Sequence, residues 1–320
     1  MLTTAHARGE AAAGPRGWTA ATIDDPARWR FPLPPRSLSL LDAPVRELGR
    51  GAGPVTGGRL EGDLTRLADD LGPALEALEG GRGFVILDGV PPGRYSPLEL
   101  TALYWLVGQA LGRPFAQNVE GTLLYDVRDT GQDVAYGARF SVTNAESSFH
   151  TDNSFGDTPL DYVGLLCLNA ARSGGLSQVV SGEAALAELR ATRLGVLEVL
   201  GRPFHVDRRG GTRPGEAPTV QVPVVEAGLD GPVFRYLRYW IEAGHRKAGV
   251  PLTAEQAGAL DALDEVLNRP GLRVEFDLRP EDMYFLNNRR MLHNRTAFAD
   301  HAEPGRRRHL VRLWLRAKAG

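Results

Sequence analysis

The segment Arg308-His-Leu-Val-Arg-Leu-Trp-Leu315 constrains the fold more than any other, because it alternates between two faces that are both substantially apolar. Period two puts Arg308, Leu310, Arg312 and Trp314 on one side and His309, Val311, Leu313 and Leu315 on the other. Such a strand is stable only when both sides are covered, so it must be sandwiched within a β structure. Other short strands supply the layers. Leu272-Arg-Val-Glu-Phe-Asp-Leu278 alternates apolar and polar residues without exception, and Met283 to Asn287 follows a turn at Pro280-Glu-Asp282. Leu123 to Val127, Ser147 to Asp152, Tyr162 to Asn169 and Leu176 to Val180 read as strands separated by polar turns, and Gly83 to Val90 as an earlier buried strand.

Helices flank this β-rich region, which makes the expected class mainly β with flanking helices (α+β). Leucines at 64, 67, 71, 75 and 78 have helical spacing, with a break expected near Gly72-Pro73. Pro97 to Leu111 is a second amphipathic helix, ended by Gly112 and Pro114. A helical insert is expected over about 182–268. It opens with Gly182 to Leu200, where Leu186, Leu189, Leu194 and Leu197 lie on or near one face. The Gly-, Pro- and Arg-rich loop Arg208 to Pro218 comes next, then helices near Arg235 to Ala248 and Thr253 to Asn268. Residues 1–35 lack sustained periodicity and read as a mobile arm ahead of one domain over 36–320.

Composition narrows the partners. A formal net charge of -2 offers no basic field for nucleic acid or an anionic membrane. No apolar run approaches the roughly 20 residues that span a bilayer, and Met1 to Trp18 lacks the apolar stretch of a signal peptide. The one cysteine, Cys167, cannot form an internal disulfide and sits in an apolar run, so a small buried hydrophobe in a reducing, cytoplasmic setting is expected. The oligomeric state is not set by these features.

The chemistry concentrates in Ser148-Phe-His-Thr-Asp-Asn153. In an extended segment His150 and Asp152 face the same way, and one further imidazole would complete a site of two histidines and a carboxylate. His205-Val-Asp207 has the same spacing but runs into Arg-Arg-Gly-Gly-Thr-Arg. That is a poor scaffold for a site that must hold to within about half an ångström. His6 in the arm, His301 in a polar loop and His245 on a helix face read as ordinary. His293 is the candidate third ligand, because Asn287-Asn-Arg-Arg-Met-Leu-His-Asn-Arg-Thr-Ala-Phe298 is crowded with polar groups yet joins two apolar strands. Arg308, turned into a sandwich interior, must be paired. Its partner is either a ligand carboxylate, which a guanidinium grips with two hydrogen bonds, or a structural Asp or Glu.

The blocks Phe149-His-Thr-Asp152, Gly174-Gly-Leu-Ser-Gln-Val-Val180, Asn288 to Phe298 and Arg308 to Trp314 together resemble the taurine dioxygenase (TauD/TfdA) family, a branch of the clavaminate-synthase-like enzymes. The resemblance runs from about Gly83 to Leu315 and implies a double-stranded β-helix, or jelly roll. It implies Fe(II) held by His150, Asp152 and His293, with 2-oxoglutarate and O2 as cosubstrates and Arg308 on the distal carboxylate of 2-oxoglutarate. Ser177 stands where relatives carry a cosubstrate-binding threonine and keeps the hydroxyl. Arg312 matches an arginine that lies near either cosubstrate or substrate, and Gln117 and Asn118 fall where relatives place substrate-facing polar residues or a plain loop. Asp152 fills a position that is small in halogenating relatives, so oxidation of an unactivated C–H bond, most simply hydroxylation, is expected. The implied substrate is a small polar metabolite, amino-acid-like or a natural-product intermediate, and a lid is expected between Leu111 and Phe149. Desaturation, cyclisation or sulfonate-type cleavage are alternatives within the family. A zinc hydrolase would be a different class and gives no reason for Arg308 and Ser177, and a metal-binding jelly-roll protein should close its site with a fourth protein ligand, which the matching blocks do not offer.

Overall fold

The computed structural model describes residues 14–23, 25–59, 64–132, 139–209, 212 and 215–318, with the side chains of 64 and 65 left aside. Two β-sheets face each other, and each has helices on its outer side. The larger sheet runs in the order Arg30–Pro32, Phe84–Asp88, Met283–Asn287, Tyr162–Asn169, His309–Arg316 and Arg113–Phe115, and Leu124–Val127 also pairs with His309–Arg316. Its first pair is parallel and the rest are antiparallel. The smaller sheet, Arg273–Phe276, Ser177–Ser181 and Met291–Arg295, is antiparallel throughout. This is the expected jelly roll with flanking helices.

The His309–Arg316 strand is sandwiched, as its two apolar faces require. Val311, Leu313 and Leu315 pack outward against the helices Pro35–Arg50, Leu64–Glu79 and Pro97–Leu111. Leu310 and Trp314 point inward and join Val163 and Tyr284 of the larger sheet and Val179 and Met291 of the smaller one. A third cluster covers the outer side of the smaller sheet, where Val180 and Leu292 meet the helices Gly182–Thr192, Arg238–Ala248 and Ala254–Leu267. Arg290 ties the layers together from a buried position: it bonds Glu183 at 2.7 Å and the backbone carbonyls of Glu79 and Gly81.

Four expectations need correction. The helix Leu64–Glu79 continues through Pro73. Burial of Leu67, Leu71, Ala74, Ala77 and Leu78 on one face holds it across the lost hydrogen bond. The insert is mixed, because it contains the hairpins Pro203–Asp207 with Thr219–Pro223 and Val225–Gly228 with Gly231–Phe234. Leu194 belongs to no helical face; it lies between Gly182–Thr192 and Val196–Leu200 and is 96% exposed. Ser147 to Asp152 is not a ladder strand, only an isolated bridge between His150 and His293.

The described part of the arm is also packed. Trp18 is 1% exposed and its indole N–H donates to the Arg82 carbonyl at 2.8 Å. With Trp29 it closes edge-on against Phe84, and that aromatic burial fixes a segment that carries no periodic signal. Residues 1–13, where His6 falls, lie outside the described residues. Cys167 is fully buried, as expected, and burial pushes its thiol up to about 12.

Candidate metal centre

The three candidate ligands are brought together by hydrogen bonds to the backbone around them. His150 and His293 exchange both N–H···O bonds at 3.0 Å, which fixes one imidazole beside the other. The next residue, Thr151, donates its N–H to the Tyr236 carbonyl at 2.7 Å. Asn288 then clamps Asp152 on both sides: its Oδ1 accepts the Asp152 N–H at 2.8 Å and its Nδ2 donates to the Asp152 carbonyl at 3.0 Å. The chain turns sharply just afterwards, at Asn153 with φ 54. Side chains 150 and 152 therefore share a face without a regular strand, held by tertiary partners instead of a ladder.

His150 Nε2 lies 3.3 Å from Asp152 Oδ1, and His293 Nε2 lies 3.7 Å from the same oxygen. The ligand atoms of the trio all lie within 4.8 Å of one another, and they form the one such group among the described residues. The Nδ1 of His150 sits 2.8 Å from the Ser148 carbonyl, which can only accept, so Nδ1 carries the proton and Nε2 offers its lone pair inward. His293 is pushed down to about 3 by burial, so it too is a neutral donor. Burial opposes ionisation of Asp152, but the Arg312 guanidinium outweighs it, and the carboxyl is held well below the usual carboxylate range. Two neutral imidazoles and a carboxylate on one side, with no fourth protein ligand among the described residues, fit a divalent ion that keeps adjacent positions open.

Two side chains hold the other carboxylate oxygen. Trp314 Nε1 donates to Asp152 Oδ2 at 2.7 Å, and Arg312 Nη1 lies 3.0 Å from it. Oδ1 is thus left to the ion, and the carboxylate cannot rotate. Trp314→Phe keeps the ring packing and loses this bond; metal affinity is expected to fall roughly 10–100-fold, with little change in the unfolding midpoint. Ferrous-ion titration beside thermal melts checks it, and unchanged affinity would remove Trp314 from the site.

Behind the trio, Arg308 is 5% exposed and its Nη1 is buried without a hydrogen-bond partner. Among the described residues no carboxylate pairs with its side chain; Asp300 takes only its backbone N–H, at 2.7 Å. Burial pushes the guanidinium down to about 10. The Tyr284 hydroxyl lines the same cavity and is also buried without a partner. Two orphaned donors facing one cavity are what a bound ligand carboxylate would satisfy. Ser177 lines the cavity as well and is 7% exposed. The glycine pair before it is sterically required: a Cβ on Gly174 (φ +70) would run into the Ala297 carbonyl, and one on Gly175 (φ +75) would lie 3.2 Å from Arg308 Nε.

The remaining candidates divide. Arg312 is engaged by Asp152, and its Nε donates to Gln117 Oε1 at 2.8 Å. Gln117 donates in turn to the carbonyls of Leu123 and Arg312. Both line the cavity, as supports of the carboxylate. Asn118 closes its own loop through Thr122 and lines only an outer cleft, so it plays the plain loop role. Asp207 pairs with Lys247 at 2.7 Å, which retires the second His-x-Asp. His245 is bonded to the His205 N–H and the Val250 carbonyl, an ordinary buried histidine. Of the expected lid, Arg139, Phe140, Ser141 and Ser147 line the cavity, and 133–138 lie outside the described residues. Asn288, Trp314 and Tyr284 were missed as site residues; the first had a signal, a polar side chain inside the block that leads to His293.

A jelly roll that presents two histidines and a carboxylate on one side of a divalent ion, backed by a buried arginine, defines a mononuclear non-haem iron oxygenase. The family model described as "Taurine catabolism dioxygenase TauD, TfdA family" matches residues 45–314, and the chain belongs to that family. It is an Fe(II)- and 2-oxoglutarate-dependent dioxygenase. Among curated relatives, the chain is 28% identical to FR-33289 synthase of Streptomyces rubellomurinus over 309 residues, 95% of this chain and 89% of that one. Its fold is similar to asparagine oxygenase, solved with Fe(II), 3-hydroxyasparagine and succinate, at 19% identity and a TM-score of 0.67 over 90% of this chain and 93% of that one. It is also similar to the non-heme iron oxygenase OrfP, solved with Fe and alpha-ketoglutaric acid, at 20% identity and a TM-score of 0.66 over 90% and 94%.

Proposed function

We propose that the protein hydroxylates an unactivated C–H bond of a small polar metabolite, amino-acid-like or a natural-product intermediate, while 2-oxoglutarate is converted to succinate and carbon dioxide. The observation that carries this reading is the pairing of an open three-ligand set with an unpartnered buried arginine in one cavity. Bound ferrous iron with 2-oxoglutarate and O2 supplies the oxidant. The chain's own residues do the rest. His150, Asp152 and His293 hold the ion, and Trp314 and Arg312 fix which carboxylate oxygen reaches it. Arg308, with the hydroxyls of Ser177 and Tyr284 within the same wall, grips the distal carboxylate and so orients the cosubstrate. Val163, Leu165, Leu310 and Trp314 line the floor with apolar surface, which keeps water from the reacting centre. Phe140, Phe155, Leu237 and Trp240 also line the cavity, with Ser141, Asn153 and Ser154 among them. A polar compound with a short apolar stem suits such a mixed wall. A cytoplasmic setting suits the single buried thiol. Among the described residues no helix is long and apolar enough to cross a membrane.

The test is a screen of small metabolites for stimulated succinate release, with the product weighed. The expected product gains one oxygen atom. A product that has lost two hydrogens would mark desaturation or cyclisation, and a purified, iron-loaded protein that never consumes 2-oxoglutarate would contradict the proposal.

A further inference from the structure

Arg308 and Tyr284, both with buried polar atoms left unpartnered on the wall of the metal cavity, are set toward the cosubstrate, while Arg312 and Trp314 hold Asp152. The Ser154 hydroxyl lines the same cavity, in a residue 2% exposed, and it too is buried without a hydrogen-bond partner. None of the contacts that build the metal centre uses it. Alanine at this position would carry no unsatisfied group, so in the empty protein the hydroxyl costs stability. A buried lone pair left idle costs less than a buried O–H left idle, so what the site lacks is an acceptor.

The main chain that carries this hydroxyl is held from several directions. Asn288 takes both backbone groups of Asp152, and the Gly156 N–H donates to the Asn153 carbonyl at 3.0 Å, which closes a turn over 153–156. Arg235 Nε donates to the Ser154 carbonyl at 3.1 Å, and an Nη of the same guanidinium donates to the Gly156 carbonyl. Arg235 is 6% exposed, so a buried charge is committed to two carbonyls of one short turn. The next residue, Tyr236, donates its N–H to Thr151 Oγ1 at 3.0 Å and accepts the Thr151 N–H. Arg235 and Tyr236 thus grip the chain on both sides of Asp152. Two residues span at most about 7 Å, so Ser154 is fixed close to a metal ligand and cannot drift from it.

We infer that the Ser154 hydroxyl is a substrate-binding group, which donates a hydrogen bond to an oxygen acceptor of the substrate lying only a few bonds from the oxidised carbon. The acceptor is a carbonyl, carboxylate or hydroxyl oxygen. This deepens the proposed function and rests on it for what fills the cavity. The bond pins the substrate at a point beside the ion and so selects which C–H bond faces the oxidant. An analogue with a methylene in place of that oxygen would leave the O–H unpaired, and sites built in this way reject such analogues strongly.

Ser154→Ala is the test variant, read beside wild type in three ways. Without ligands it should melt at or above the wild-type temperature, because it loses only an unpaired hydroxyl. With the metabolite that gives the largest succinate release in the screen, its KM for that metabolite should rise roughly 5–100-fold, while ferrous-ion affinity and the KM for 2-oxoglutarate stay unchanged. Succinate formed per molecule of product should rise as well, since a substrate freed from one anchor is oxidised less faithfully. A serine with only a structural role would lower the melting temperature and leave that ratio alone. The hydrogen bond is overturned if the variant melts several degrees below wild type, if its iron affinity falls, or if its KM for the metabolite matches wild type. The visible charge-transfer band of ferrous iron chelated by a 2-oxo acid, read in wild type, separates the two ideas. With the band present and a metabolite turned over, an unchanged KM removes only the role of Ser154. Without the band, or with no metabolite turned over, the hydroxylation reading falls and the hydrogen bond with it.

Discussion

Asp152→Ala is expected to lower 2-oxoglutarate turnover by more than the ~100-fold ceiling seen when only an outer support of a metal ligand is lost, because it removes a ligand outright and frees the ion from one side. The substitution has a second effect, which the design must separate from the first. Asp152, itself buried, neutralises the partly buried Arg312 at 3.0 Å, so its loss leaves that guanidinium uncompensated. Breaking a buried pair in this way costs about 3–5 kcal/mol of stability. His150→Gln removes a ligand and leaves the Asp152–Arg312 pair intact. Both variants should lose turnover, and only Asp152→Ala should melt several degrees earlier. Succinate release and thermal unfolding measured together check this; if His150→Gln retained wild-type turnover, the ligand assignment would be wrong.

Arg308→Met is expected to separate binding from stability in the opposite direction. A buried guanidinium gripping a carboxylate is worth about 2–5 kcal/mol when truncated, so the KM for 2-oxoglutarate should rise roughly 30-fold to several thousandfold. Stability of the apoprotein should hold or increase. Arg308 is buried, lacks a carboxylate partner and is pushed down to about 10, so its charge costs the apoprotein roughly 3 kcal/mol at neutral pH. Methionine carries no such cost and occupies similar volume. The sign follows from the depressed value: the charged form is disfavoured in the folded protein, and the cost is present throughout the range below about 10. A structural arginine would behave differently, since its replacement would lower the melting temperature and leave the KM unchanged.

The two central imidazoles, the carboxylate and the arginine behind them were legible in the sequence because those residue types are scarce and chemically specific. The strand that carries His293 was not. In Met291–Arg295 the polar residues His293 and Arg295 take alternate positions for the site while Asn294 between them bonds Gln178, so the apolar alternation that reveals Arg273–Phe276 is absent. Trp314 shows the reverse problem: it looks like one more apolar residue in an alternating strand, and only its indole N–H on Asp152 reveals its role. The hairpins at 203–234 were hidden because their strands are four or five residues long beside stronger helical leucine spacing. Arg312 was legible as a site residue but not by partner, since the ion pair with Asp152 spans 160 positions and depends on how the two sheets face.

The most direct measurement is a crystal structure of the protein grown anaerobically with ferrous iron and 2-oxoglutarate, with anomalous scattering collected at the iron edge. One iron should lie within bonding distance of the Nε2 atoms at 150 and 293 and Oδ1 at 152, with the cosubstrate's far carboxylate on the Arg308 guanidinium. An iron bound elsewhere, a fourth ligand from the protein, or a cosubstrate that leaves Arg308 without a partner would contradict the assignment.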